Sequence, residues 1–166
     1  MRPVLTLLRQ ASHLPVALAC TALFVLMVMT FSDVVLRSAA NAPIEAATEI
    51  TRILMAIIVF SVMPVISARG GHIAVDLTDP VFARYRLGRW RDAAIHLAAG
   101  LMLIYPVRQI WVLAERARGF GDVTEYLAIP QFYIGWFIAL FAGATALVLI
   151  GLGLLHLFAP KMLRPA

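Results

Sequence analysis

Charge is scarce in this sequence: Asp, Glu, Lys and Arg make up only 14% of its 166 residues, while 62% are hydrophobic. Soluble domains carry about a quarter charged residues, so this composition, with a mean hydropathy of +0.89, excludes one and points to an integral membrane protein. Cysteine is nearly absent. Cys20 is the single one, which excludes a disulfide within the chain, a redox thiol pair and a cysteine metal site. Missing too are HExxH, GxSxG, the P-loop, CxxC and any carboxylate pair set in an obvious cleft, so the chain is not expected to be an enzyme. No repeat relates its two halves and no low-complexity segment appears, which argues against a self-contained secondary transporter built around a midplane site. No cofactor is called for.

What is present is a set of long apolar runs. A helix needs about 20 apolar residues to cross roughly 30 Å of hydrocarbon. The charge-free stretches Leu14–Ser32, Ile53–Ala68, Ala93–Val107 and Tyr126–Pro160 place four transmembrane helices near 14–36, 49–67, 93–113 and 132–158. The fold class expected is therefore all-α, one membrane domain over residues 1–166. Loop 68–92 lies on one side and segments 37–48 and 114–131 on the other. The first span is read as retained, because its apolar core outruns a signal-peptide h-region, and Asp33 and Arg37 precede Ala40-Asn41-Ala42.

Basic residues set the orientation. Arg2, Arg9, Arg69, Arg84, Arg86, Arg89, Arg91, Lys161 and Arg164 fall on one side, and only Arg37, Arg116 and Arg118 fall outside the helices on the other. The positive-inside rule makes both termini cytoplasmic. The net charge of +5 is then a topology signal with affinity for anionic headgroups, not a nucleic-acid signature. In the cytoplasmic loop, Arg84, Arg86, Arg89, Trp90 and Arg91 read as a lipid-interface belt. Glycines at Gly135, Gly143 and Gly151 recur every eight residues in the last helix, a spacing that permits close backbone approach on one face. Pro64 and Pro106 lie inside helices 2 and 3, where kinks are expected rather than breaks.

Ionisable residues inside apolar segments are functional candidates. Asp33 and Arg37 are four apart; Glu45, Glu49 and Arg52 are spaced four and three apart, so each set shares a helical face. With Arg108 they are expected to form a polar layer at the periplasmic end of the bundle, as candidates for gripping another subunit. Arg108 has no acid at i±3 or i±4, so its partner is sought on another helix or another chain. The helix middles are otherwise Leu, Val, Ala, Ile, Met and Phe, with Thr21, Ser61 and Thr145 as exceptions. Histidine supplies a second reading. His13, His72, His96 and His156 fall toward the opposite face, and two histidines on facing helices ligate haem in four-helix membrane anchors of respiratory redox complexes.

Three stretches carry a resemblance. DVVLRSAANAPIEAATEITR at 33–52, ARGGHIAVDL at 68–77 and TEYLAIPQFYIGW at 124–136 occur in order, and together resemble the small membrane subunit of tripartite ATP-independent periplasmic transporters. The resemblance implies a bacterial inner-membrane scaffold bracing a large, sodium-coupled transport subunit. It further implies partnership with a periplasmic solute-binding protein that delivers an organic acid or similar solute. Within ARGGHIAVDL, Arg69 suits a helix C-terminus and Gly70 and Gly71 permit a sharp exit. His72 and Asp76 would tie the following segment down, so the motif reads as a structural corner.

Overall fold

The structure is a computed structural model that describes residues 13–68 and 88–158. Four helices occupy them: α1 (His13–Ala40), α2 (Ala47–Ala68), α3 (Gly88–Phe120) and α4 (Gln131–Phe158). Each is long and apolar enough to cross a membrane. Even α2, the shortest at 22 residues, reaches about 33 Å at 1.5 Å per residue.

The helices overrun the spans that hydropathy marks, most of all α3, which starts at Gly88 and ends at Phe120 where the apolar window gives 93 and 113. Hydropathy measures the width of hydrocarbon, whereas a helix continues until local chemistry caps it. At the end of α3 that chemistry is Gly121, in the left-handed region at φ 71°. Its N–H donates to the Arg118 carbonyl (3.3 Å) and the Asp122 N–H to that of Ala117 (3.0 Å), the hydrogen-bond pair of a Schellman cap. At the end of α1, Asn41 takes the left-handed role at φ 52°, and the Ala42 N–H returns to the Leu36 carbonyl at 3.3 Å. Both α2 and α3 run unbroken through Pro64 and Pro106.

Packing follows an unexpected order. The main contacts join α1 to α2, α2 to α4, and α4 to α3, so the helices stand in an open row, α1–α2–α4–α3. Hydropathy gives four helices but not their order of packing, because it does not distinguish a lipid-facing side from one facing a neighbour, and here most sides face outward. The most apolar stretches of α1 and α3, at the edges, are each 11% buried, against 22% and 28% for α2 and α4. What is buried is small. Ala22, Ser61, Ala93, Ala114, Ala142 and Thr145 line the seams, as expected where helix association relies on close backbone approach.

The α3–α4 seam shows how close. A Cβ added at Gly135 would stand 2.7 Å from the Ala114 Cβ, and one at Gly153 or Gly100 would meet Leu97 or Ile150 at the same distance. These three glycines are therefore required by contact. Gly143 has only Val107 at 3.7 Å, and Gly151 has nothing within 4 Å, so the eight-residue recurrence does not itself mark the seam.

Candidate functional site

At the end of the row where α1 joins α2, Asp33 lies 8% exposed on the last turns of α1. Its Oδ2 accepts a hydrogen bond from Arg37 Nη2 at 2.8 Å, as their spacing of four allows. Its Oδ1 accepts from the Ile44 backbone N–H, also at 2.8 Å. One carboxylate thus clamps the turn between the helices.

Glu49, in the first turn of α2, does the same over a longer distance. Its Oε2 accepts the backbone N–H groups of Tyr126 (3.1 Å) and Leu127 (3.2 Å), which tie the α3–α4 connection to α2. That connection is itself ordered. Val123 and Pro130 form an antiparallel bridge, the Thr124 N–H donates to the Ile129 carbonyl at 3.0 Å and the Gln131 N–H to that of Asp122 at 3.0 Å. Ala128 takes a left-handed φ of 51°, a position where a β-carbon is strained.

Between these clamps open two clefts. One, of about 380 Å³, is lined by Thr48, Glu49, Arg52, Glu125, Tyr126 and Gln131 among others. The second, of about 440 Å³, runs between α1 and α2 past Asp33, Arg37, Thr48 and Arg52. Arg52 and Thr48 line both. Arg52 is exposed, and among the described residues it makes no hydrogen bond or ion pair. Glu49 Oε1 and Trp136 Nε1 are buried without a partner. The site thus offers an exposed guanidinium that is unpaired among the described residues and a buried, unsatisfied acceptor, while Asp33 and Arg37 neutralise each other.

The family model described as "Tripartite ATP-independent periplasmic transporters, DctQ component" matches residues 26–159. The chain belongs to that family. No curated protein and no solved structure matches it. The matched region of this DctQ component contains both clefts and all but the first turns of α1.

The remaining candidates fall elsewhere. Glu45 is exposed beside the clefts. Arg108 does not join the polar end: α3 continues twelve residues past it to Phe120, about 18 Å along the axis. The contact of Val107 with Gly143 sets Arg108 beside the apolar run of α4. There it is exposed and, among the described residues, unpaired.

At the opposite end of the row, His96 and His156 stack with ring centroids 5.4 Å apart and planes at 24°. The Nδ1 of His96 lies 2.7 Å from the Asp92 carbonyl of its own helix. Rings that meet face to face do not direct their nitrogens at an iron between them, so this geometry is a packing contact and gives haem ligation no support. Arg91 pairs with Asp92 at 3.1 Å, and Trp90 is exposed. Arg69, Gly70, Gly71, His72, Asp76, Arg84 and Arg86 lie outside the described residues, as does the side chain of Arg89.

Thr48, Thr124, Glu125, Tyr126 and Gln131 also line the first cleft, and no charge pair at helical spacing in the sequence marks them. The signal was available only in part. TEYLAIP ends in a proline before an apolar helix, which marks an ordered connection; nothing local to it names Glu49 as its partner.

Proposed function

We propose that this DctQ component is a scaffold subunit which transports nothing by itself, and that its cleft end docks partner subunits. In this reading the large membrane subunit contains the sodium-coupled transport site. A soluble periplasmic protein delivers an organic acid or similar solute, and the chain sits in a bacterial inner membrane with both termini cytoplasmic and its clefts facing the periplasm.

The observation that carries the reading is the split between a polar end and an apolar middle. The buried hydroxyls at depth return to their own helices: Ser61 Oγ donates to the Ile57 carbonyl at 2.6 Å and Thr145 Oγ1 to the Phe141 carbonyl at 2.9 Å. The exposed Thr21 Oγ1 likewise donates to the Ala17 carbonyl of its own helix at 2.9 Å. Groups so satisfied do not line a solute path, which needs polar sites near the midplane. Arg52, by contrast, is exposed and, among the described residues, unpaired where two clefts meet, and an exposed charge serves encounter and orientation of a partner.

Arg52→Glu tests this. With the large subunit and the binding protein in proteoliposomes, uptake should fall by about tenfold, through weaker docking that depends on salt, while the chain still copurifies with the large subunit. Unchanged uptake and unchanged binding-protein affinity would remove the clefts from the docking surface.

A further inference from the structure

Away from the polar clefts, α3 and α4 enclose an apolar groove of about 530 Å³, lined by Ile104, Val107, Ala139, Leu140, Gly143 and Leu147, and reaching Ile150. From Ala139 to Ile150 it follows α4 for ~16 Å at 1.5 Å per residue, close to the half-thickness of the hydrocarbon core, about 15 Å. Just past it, one turn on from Val107, Trp111 of α3 stacks on Trp136 of α4 with centroids 5.9 Å apart and planes at 17°. Arg118 places its guanidinium 5.6 Å from the centre of the Trp136 ring. Indoles and arginines gathered at one level mark headgroup depth.

Arg108 lies four residues from Ile104 and three from Trp111, so it shares their side of α3. It is exposed and, among the described residues, has no anion. From beside the apolar run its long side chain can reach the indole level one turn on; a guanidinium there requires an anion, and a phosphate accepts two parallel N–H bonds from it. A transmembrane helix from another chain would also fill an apolar groove, but it must run through the full thickness, and this groove stops at the indole pair. An acyl chain that begins at headgroup depth fits that limit.

We propose that the groove is a phospholipid site: one acyl chain lies along Ile104, Leu140, Gly143 and Leu147, and Arg108 holds the headgroup phosphate beside Trp111. The test is native mass spectrometry of the purified, delipidated full chain titrated with palmitoyl-oleoyl-phosphatidylglycerol. The wild type should retain one lipid per chain, and Arg108→Gln should lower that occupancy by about tenfold, the loss of one charge-assisted contact. Arg108→Lys should retain most of it, and Arg116→Gln, at another exposed arginine, should change nothing.

Gly143 tolerates a Cβ, having only Val107 at 3.7 Å, so Gly143→Phe should fill the groove and expel the lipid although Arg108 is intact. This second variant keeps the test decisive if Arg108→Gln folds poorly, with helicity by circular dichroism as the check. Wild-type retention by either Arg108→Gln or Gly143→Phe would overturn the proposal. Displacement of the lipid by inorganic phosphate would also overturn it, because the site would then be one for free anions.

Discussion

Asp33 and Arg37 show how unequal two partners in one ion pair are. Arg37 is 64% exposed on its side chain, where a surface pair contributes about 0–1 kcal/mol. Asp33 is buried and also accepts the Ile44 N–H, so its removal strands a donor. Asp33→Ala should therefore destabilise the chain by about 1–3 kcal/mol, and Arg37→Ala by no more than about 1 kcal/mol, as measured by denaturant unfolding in detergent micelles. Equal effects would mean that the ion pair, not the clamp on residue 44, holds the turn. The i,i+4 spacing made this pair legible in the sequence. The contact of Glu49 with Tyr126 and Leu127 spans 77 and 78 positions, and helical periodicity says nothing about such distances. Arg108 had no visible partner in sequence and has none among the described residues, yet its depth was hidden until the end of α3 was known.

Helices show a similar division between what is local and what is not. Their number and approximate place followed from apolar runs, since each run must satisfy its own backbone bonds in lipid. Their ends did not, because Gly121 and Asn41 stop them through left-handed backbone rather than through loss of hydropathy. Nor did their seams. Of the three glycines spaced by eight, only Gly135 meets a neighbour that a Cβ would strike, while Gly100 and Gly153 do so unannounced; the crossing register between helices decides this, and it is not written in either helix alone. Gly135→Ala should thus cost about 1–3 kcal/mol by overpacking against Ala114, while Gly151→Ala, with nothing within 4 Å, should be neutral or slightly stabilising. Thermal unfolding of the two variants in the same detergent compares them directly. The opposite ranking would contradict the α3–α4 seam.

On the scale of the whole molecule, the open row α1–α2–α4–α3 leaves both edge helices with most of their apolar surface outward. Among the described residues this row encloses no interior, and it offers wide apolar faces outward. Membership of the DctQ component family places the chain in a tripartite transporter, and the open row is consistent with the proposed scaffold role. The most direct measurement is solute uptake by proteoliposomes containing this chain alone, the large membrane subunit alone, or both, each with the soluble binding protein outside and an inward sodium gradient. The account predicts uptake at the protein-free rate for this chain alone, and sodium-dependent uptake when both membrane subunits are present. Uptake above the protein-free rate by this chain alone would contradict it.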